Sequence, residues 1–229
     1  MSAIRSASDV AALDWAKGDG LLPAVVQDVA SGAVLMLGYV NSDALNESLR
    51  SARMTFWSRS KQRLWTKGEA SGHVLEIERI DTDCDADALL VLARPVGPTC
   101  HRGTVSCFDT RQNADAPRPA LAFAADLDAL IAQRERERPP GSYTTRLFDS
   151  GVKRIAQKVG EEGVEVALAA SGSAAELLDE SADLLFHLLV LLRARGLGLA
   201  DVVGILRARH GDAVTGQLVT AVADSADLD

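Results

Sequence analysis

Three aspartates alternate with other residues in the run Asp83-Cys84-Asp85-Ala86-Asp87. In an extended segment, positions i, i+2 and i+4 share one face, so the three carboxylates would project together and Cys84 would lie on the opposite side. Like charges at such short separation repel each other unless a hard cation such as Mg²⁺ neutralises them. The spacing therefore indicates a magnesium site, and a solvated edge strand is the alternative.

The three cysteines of the chain fall within one short stretch: Cys84, Cys100 and Cys107, with His101 directly after the second. Their number is odd and they form no C-x₂-C pair, so neither a disulfide framework nor a zinc-finger pattern is predicted. Three thiolates without an evident fourth protein ligand are typical of a catalytic zinc, whose remaining position holds water. The alternative is that they are small buried apolar residues.

A third set of candidate ligands is acidic and lies in the C-terminal half. Two neighbouring predicted helices carry it: Glu161, Glu162 and Glu165 on the first, Glu180 and Asp183 on the second. Spacings of three and four residues put such side chains on one helix face, and the apolar residues beside them create a need for a cation or basic partner. Two antiparallel helices with such carboxylates form a divalent-metal site, and a solvated charged stripe is the alternative. His187 is interpreted as a core histidine rather than a ligand.

The balance of charged residues restricts which molecules the chain is expected to bind. The chain has 229 residues, with 24 Lys and Arg against 32 Asp and Glu, which gives a net charge of −8. An acidic surface repels nucleic-acid backbones and anionic membranes, so we expect neither as a partner. The basic residues nevertheless concentrate between Arg50 and Lys67, just before an acidic stretch from Glu76 to Asp87. A basic block followed by an acidic block could bind a small phosphorylated ligand beside a metal ion. The alternative is that the two blocks form solvated faces without a ligand.

Neither a membrane span nor a signal peptide is expected from the sequence. The longest run without a charged residue, 29–42, has 14 residues and is too short to cross a bilayer as a helix. The first twenty residues include Arg5, Asp9, Asp14 and Lys17 and lack an apolar core. We therefore expect a cytoplasmic protein with reduced thiols.

The hydrophobic pattern changes along the chain and predicts an α+β protein of two domains. Residues 1–109 contain short β-rich runs separated by Gly and Pro, typical of a mainly-β domain with short helices. Residues 110–120 are polar, include two prolines, and are predicted to be a linker. Residues 121–229 have helical spacing and predict an all-α bundle. The predicted strands are near 24–26, 34–39, 54–57, 74–80 and 89–92, and the predicted helices are 8–16, 42–53, 121–138, 144 or 152 to 170, 174–195 and 199–209.

Longer motifs carry a family resemblance. The N-terminal half resembles phosphoribosyl-AMP cyclohydrolases in the aspartate run and in four segments: Leu35-Met-Leu-Gly-Tyr-Val-Asn41, Phe56-Trp-Ser-Arg-Ser-Lys61, Leu64-Trp-Thr-Lys-Gly-Glu-Ala-Ser-Gly72 and Gly97-Pro-Thr-Cys-His-Arg-Gly-Thr-Val-Ser-Cys-Phe108. The C-terminal half resembles phosphoribosyl-ATP pyrophosphohydrolases, relatives of the MazG-type nucleotide pyrophosphatases, in Ser142-Tyr-Thr144, Lys158-Val-Gly-Glu-Glu-Gly-Val-Glu165 and Glu180-Ser-Ala-Asp-Leu-Leu-Phe-His187. In this order the halves resemble the bifunctional enzymes of histidine biosynthesis.

The resemblance implies ligand sets for two metals. In the N-terminal domain it implies Mg²⁺ at Asp83, Asp85 and Asp87, and Zn²⁺ at Cys84, Cys100 and Cys107, with Cys84 donated by the other subunit of a homodimer. In the MazG-like helical bundle it implies Mg²⁺ at Glu161, Glu162, Glu165, Glu180 and Asp183. Three departures from the family pattern are Ala52, where a turn glycine is common, Lys61, where arginine is common, and Gly163, where alanine is usual.

The resemblance also implies two hydrolytic steps on small nucleotides. The C-terminal domain would release pyrophosphate from phosphoribosyl-ATP, and the N-terminal domain would open the adenine ring of phosphoribosyl-AMP between N1 and C6 with a zinc-activated water. His101 is the candidate for proton transfer. The candidates for holding the phosphates are Arg59, Lys61, Lys67, Arg154 and Lys158. The alternatives are a housecleaning nucleotide pyrophosphatase with a structural zinc domain, and a metal-dependent binding module without turnover.

Overall fold

The computed structural model describes residues 2–108 and 120–211. The chain divides into two compact units, Met1–Ala122 and Phe123–Asp229. The first is built on β-strands with short helices and the described part of the second is helical, so the predicted α+β class is confirmed. The predicted linker, 110–120, lies outside the described residues except for Ala120, which begins a helix. No helix in the described ranges is long and apolar enough to cross a membrane.

A four-stranded sheet forms the centre of the N-terminal unit. Its strands are β1 (Leu22–Asp28), β2 (Val34–Val40), β5 (Leu75–Thr82) and β6 (Leu89–Pro95), in the spatial order β2-β1-β6-β5. Each of them overlaps a predicted β-rich run. Along β1, the alternate residues Leu22, Ala24 and Val26 are fully buried, which is the period-two pattern of a strand with one face on the core.

The pairing of β1 with β6 is parallel, with Val25 opposite Leu90, whereas β1 with β2 and β5 with β6 are antiparallel. In a parallel pair the amino-terminal ends of both strands lie at the same edge of the sheet. The segment that leads into β1 and the turn that leads into β6 are therefore neighbours.

A second, two-stranded sheet and two helices complete the N-terminal unit. Strands β3 (Thr55–Ser58) and β4 (Arg63–Thr66) form an antiparallel hairpin in which the Phe56 and Trp65 rings stack. Strand β4 was not predicted, because its short and largely polar sequence has no distinctive period. Helix α1 (Ala7–Ala11) is shorter than predicted, and α2 (Ser42–Ser51) begins at the predicted Asn41 cap.

Five helices are described in the C-terminal half: α3 (Ala120–Glu137), α4 (Tyr143–Asp149), α5 (Gly151–Ala169), α6 (Ala174–Ala194) and α7, which is helical from 199 to the last described residue, 211. Their common core includes Ile131, Ile155 and Leu189, each at most 1% exposed. Of the two starts predicted for the helix that ends near 170, the one at 152 is confirmed, since α5 begins at Gly151 and α4 is a separate helix before it. Gly151 has a φ of +81°, which favours glycine.

Candidate functional site

The three aspartates of the N-terminal unit converge in the turn between β5 and β6. Ligand oxygens of Asp83, Asp85 and Asp87 lie within 4.8 Å of one another. Asp83 Oδ1 accepts hydrogen bonds from the backbone N–H groups of Asp87 and Ala88, both at 3.1 Å, which closes the turn. We call residues 83–87 the tri-aspartate turn.

The extended conformation assumed for this segment is wrong. Residues 84–87 form turns and bends, and Ala86 has a φ of +61° in the left-handed region. Side chains alternate between two faces only in an extended strand. In this turn the alternation explains neither why the carboxylates converge nor which way Cys84 points. The carboxylates meet because the chain folds back between two antiparallel strands.

Lys17 binds two of these aspartates. Its Nζ lies 2.5 Å from Asp85 Oδ2 and 2.5 Å from Asp87 Oδ2. Both contacts raise the pKa of Lys17, and the Lys17 ammonium lowers the pKa of Asp85. Sequence analysis did not select Lys17, because the acids that it binds lie about 70 residues further along the chain and no local spacing indicates the contact.

A pocket of about 480 Å³ adjoins the tri-aspartate turn. Its lining includes Lys17, Asp87, Tyr39 and Arg59. The Arg59 guanidinium lies 4.0 Å from the centre of the Tyr39 ring, a cation–π contact that holds the cation over an aromatic face. The pocket therefore offers positive charge from Arg59 beside a cluster of carboxylates, whereas Lys61 is exposed and outside the lining.

Cys100 and Cys107 form a thiol pair in the loop after β6. The two thiols are close enough for each to shift the pKa of the other. The Cys107 backbone N–H donates to the carbonyl of Leu35 on β2 at 2.8 Å, which anchors the loop to the sheet. The pKa of Cys100 is lowered, first by the backbone N–H of Arg102, whereas desolvation and then the neighbouring Cys100 raise the pKa of Cys107.

Two further candidates lie beside the thiol pair. Lys67 is buried and its Nζ donates to the carbonyl of His73 at 2.9 Å. Burial lowers the pKa of Lys67, while negative charge on Cys107 and Cys100 acts in the opposite direction. His101 is exposed, with Nδ1 3.9 Å from Cys100 Sγ. Lys67 is thus a neighbour of the thiols rather than part of the pocket lining.

Cys84 is not part of the thiol pair. It is exposed on the tri-aspartate turn, where its Sγ lies 3.8 Å from Asp85 Oδ1. Among the described residues, Cys84, Cys100 and Cys107 do not form a three-ligand cluster within one chain. One chain therefore brings together two of its three cysteines, Cys100 and Cys107.

The C-terminal unit holds a second convergent set of acids. Ligand oxygens of Glu162 and Glu165 on α5 and of Glu180 on α6 lie within 4.8 Å of one another. We call these three residues the helical acid cluster. The pKa of Glu165 is raised, chiefly by Glu162. The donor set fits a hard divalent cation, which would relieve this repulsion.

Basic residues of α5 contact the acids of the same helix. Lys158 Nζ lies 2.7 Å from Glu162 Oε1 and 3.0 Å from Glu161 Oε2, and it lowers the pKa of both carboxyls. Glu161 also accepts from Arg154 at 3.0 Å. Two predicted ligands thus lie outside the cluster, namely Glu161, which pairs with these cations, and Asp183, which is exposed.

His187 is buried, as expected for a core histidine, but its contacts reach the acid cluster. Its Nδ1 lies 2.9 Å from the carbonyl oxygen of Asp183, one turn earlier on α6, and 3.5 Å from Glu162 Oε1. Since Nδ1–H donates to that carbonyl, Nε2 accepts from the Tyr143 hydroxyl at 3.0 Å. Tyr143 belongs to the Ser-Tyr-Thr motif, and its role was not predicted from the sequence.

Two family models match the chain, one in each unit. Residues 36–109 match phosphoribosyl-AMP cyclohydrolase and residues 124–210 match phosphoribosyl-ATP pyrophosphohydrolase. The first range contains the tri-aspartate turn and all three cysteines, and the second contains the helical acid cluster.

Curated relatives carry both parts in one chain. The chain is 66% identical over 206 residues to the "Histidine biosynthesis bifunctional protein HisIE" of Xylella fastidiosa strain Temecula1, covering 89% of this chain and 96% of that protein. The identity is 64% over 200 residues to the protein of the same name from Xanthomonas campestris, covering 87% and 93%. It is 57% over 199 residues to that of Salmonella typhimurium, covering 86% and 95%.

Proposed function

The chain belongs to the family of bifunctional histidine-biosynthesis proteins that join a phosphoribosyl-AMP cyclohydrolase to a phosphoribosyl-ATP pyrophosphohydrolase, and we propose that it catalyses both steps in succession. The C-terminal unit hydrolyses phosphoribosyl-ATP to phosphoribosyl-AMP and pyrophosphate. The N-terminal unit then hydrolyses the N1–C6 bond of the adenine ring. The observation that carries this proposal is that each family-matched range contains its own convergent set of metal-type ligands.

We assign the domains as 1–109 and 121–229, joined by 110–120. The two family matches, which end at 109 and begin at 124, support this division. The separation of the compact units at Ala122 is also compatible with it. Because reduced thiols are among the proposed ligands, we expect the protein to act in the cytoplasm.

In the C-terminal unit, pyrophosphate release needs positive charge around a triphosphate. Mg²⁺ held by the helical acid cluster, with Glu161 and Asp183 as further proposed ligands, would neutralise phosphate oxygens. Lys158 and Arg154, on the same helix as Glu162, are proposed to bind the phosphates and stabilise charge that develops on the leaving pyrophosphate. Water adds to the α-phosphorus, and the bond to the β-phosphate oxygen breaks.

In the N-terminal unit, the pocket beside the tri-aspartate turn is proposed to hold phosphoribosyl-AMP. Arg59 would bind a phosphate there. Lys61, three residues after the end of β3, is a second basic candidate. The tri-aspartate turn fits Mg²⁺ through its oxygen donors. This part of the proposal accounts for a basic residue and a carboxylate cluster on adjoining walls of one cavity.

The thiol pair is proposed to hold Zn²⁺, which supplies an acidified water for hydrolysis at neutral pH. Lys67 favours the thiolate forms of Cys100 and Cys107 by its positive charge. His101 is beside Cys100 and is proposed to carry the proton that reaches N1 when the N1–C6 bond breaks. The third thiolate is proposed to be Cys84 of a second copy in a homodimer, because one chain does not bring its own three cysteines together.

A single assay tests the function. The zinc-loaded full chain is incubated with phosphoribosyl-ATP and Mg²⁺, and pyrophosphate and the ring-opened nucleotide are both measured with time. We expect pyrophosphate first and the ring-opened product after a lag, in equal final amounts. Pyrophosphate without ring opening, together with hydrolysis of ordinary nucleoside triphosphates, would instead support the housecleaning pyrophosphatase. The family membership and the intact thiol pair favour the bifunctional enzyme.

A further inference from the structure

Lys17 binds two of the three carboxylates that a metal ion would need. Its Nζ lies 2.5 Å from one oxygen of Asp85 and 2.5 Å from one oxygen of Asp87, and these are two of the three proposed Mg²⁺ ligands. A divalent cation bound by the same two carboxylates would lie close to the ammonium group that they now bind. The ammonium group and the divalent cation therefore compete for the same acceptors.

The segment that carries Lys17 is docked on the tri-aspartate turn. The backbone N–H of Asp14 donates to the carbonyl of Ala86 at 2.9 Å, and Asp14 Oδ1 accepts from the Lys17 N–H at 3.2 Å. The chain then turns tightly at Gly18, where a Cβ would lie 2.1 Å from the Leu21 carbonyl oxygen. The Lys17 backbone is thus fixed against the aspartates, while its side chain remains about half exposed and free to change rotamer.

The same side chain lines the pocket that contains Arg59 and Asp87. A divalent cation on Asp85 and Asp87 would lie a few ångströms from the ammonium group, and the two positive charges would repel each other. If the Lys17 ammonium group leaves the carboxylates, it can move into the adjacent pocket. A phosphate group bound in the pocket could then accept hydrogen bonds from both Lys17 and Arg59.

We propose that Lys17 is an exchangeable cation of this site: it pairs with Asp85 and Asp87 when no metal is bound, and moves to the phosphate of a nucleotide in the pocket when a divalent cation takes its place. The inference rests on the proposed magnesium site and goes beyond it by adding a phosphate-binding residue and a coupling. Metal binding and nucleotide binding then reinforce each other, because each favours the same position of the lysine.

The test measures binding rather than turnover. Full-length protein is loaded with zinc and carries Glu165→Gln and Glu180→Gln, which weaken the helical acid cluster so that Mn²⁺ reports on the tri-aspartate turn. Mn²⁺ affinity is measured by electron paramagnetic resonance, and AMP affinity by calorimetry at saturating Mg²⁺. The variant is Lys17→Met, which keeps the apolar stem and removes the charge, and Lys153→Met, on exposed α5 surface, is the control for net charge.

We expect Lys17→Met to bind Mn²⁺ about 3- to 10-fold more tightly than the parent protein, because two exposed ion pairs no longer oppose the metal. AMP should bind several-fold more weakly at saturating Mg²⁺, and Lys153→Met should change neither affinity. Unchanged or weaker Mn²⁺ binding in Lys17→Met overturns the exchange, and unchanged AMP binding overturns the phosphate contact. If Lys17→Met does not fold, Lys17→Gln is measured in the same way.

The variant Asp87→Asn distinguishes a failure of the proposed magnesium site from a failure of the proposed Lys17 exchange. Loss of Mn²⁺ binding in this variant supports the magnesium site, and the Lys17 result then tests the exchange alone. Retention of full Mn²⁺ affinity in Asp87→Asn would instead show that the metal site itself is wrongly assigned.

Discussion

The tri-aspartate turn and the helical acid cluster both hold three carboxylates close together, and in both a lysine offsets part of the repulsion. Each brings three carboxylates within 4.8 Å, and each has a lysine bound to its acids. In the helices, Lys158 comes from the same helix as Glu162, one turn away. In the turn, Lys17 comes from a distant part of the chain.

The difference lies in what holds each lysine in place. Helix geometry alone places Lys158 beside Glu162, and the Glu162 side chain is only 5% exposed. Lys17 reaches its acids only through the pairing of β1 with β6 and the docking of Asp14 on Ala86. The lysine of the helical acid cluster is therefore placed by local structure, whereas the lysine of the tri-aspartate turn is placed only in the folded unit.

The largest expected effect separates the two chemistries. Cys100→Ser should reduce ring opening by at least about 100-fold while pyrophosphate release stays within a few-fold of wild type, and Glu165→Gln should do the converse. Each change removes a proposed metal ligand from one unit only. Both products are measured from phosphoribosyl-ATP, and ring opening also from phosphoribosyl-AMP. Glu135→Gln on α3, outside the cluster, is the control for Glu165→Gln. Loss of both activities from either single change, with folding intact, would contradict independent sites.

The next prediction tests whether the N-terminal site needs two chains. Cys84→Ala and Cys107→Ala proteins should each lack ring-opening activity, and mixing them with subunit exchange should restore it. In a heterodimer one zinc site receives both changes and the other has three wild-type cysteines, so each heterodimer should have about half of wild-type activity. Exchange is followed independently by differently tagged chains. No recovery despite exchange would show that each site uses cysteines of one chain.

A smaller effect should come from the repulsion within the helical acid cluster. Glu162 raises the pKa of Glu165 above its ordinary value of 4.5, so the folded protein loses stability as the pH rises from 4.5 through the raised pKa. In metal-free protein at pH 7, Glu165→Gln should therefore melt at a higher temperature than wild type, and the difference should vanish near pH 4. In excess Mg²⁺ the wild type should melt at the higher temperature, since only the wild type keeps the full set of proposed ligands. Scanning calorimetry in chelator and in Mg²⁺ measures both; equal melting temperatures in chelator would refute the repulsion.

The smallest effects concern one backbone position in each unit. Ala52 ends α2 with a φ of +53°, so Ala52→Gly should stabilise the N-terminal unit by about 0.5–1 kcal/mol. Gly163 lies inside α5 with open space around it, so Gly163→Ala should stabilise the C-terminal unit by up to about 1 kcal/mol. Denaturant unfolding measures both. Ala12, which ends α1 with a φ of −82°, is the control, because glycine there should destabilise.

The sequence predicted what is local and missed what depends on tertiary structure. Most strands and the Asn41 cap follow from hydrophobic period and capping chemistry. The short spacings also selected the acids that converge in the two clusters, while their role as metal ligands stays a prediction. Lys17 could not be predicted because its contact requires a parallel strand pairing that no local pattern specifies. The Tyr143–His187 hydrogen bond likewise joins α4 to α6.

The tri-aspartate turn shows a further limit of local patterns. Alternating aspartates fit a strand as well as a turn, and hydrogen bonds to Asp83 from the backbone decide for the turn. Similarly, apolar spacing continues from α4 into α5, and only the positive φ of Gly151 separates them. In both cases the residue pattern is compatible with two backbone conformations, and it does not decide between them.

The parallel pairing of β1 with β6 also has a consequence for the order of folding. Val25 pairs with Leu90, so most of the N-terminal unit must be synthesised and ordered before these strands can meet. Closing so long a loop is slower than forming the β3–β4 hairpin or the α5–α6 pair, whose contacts are close in sequence. The wall of the pocket that carries Lys17 and the wall that carries Asp87 are then joined late. In refolding from denaturant, the N-terminal unit should gain its affinity for divalent cations in its slowest phase, after the hairpin has formed.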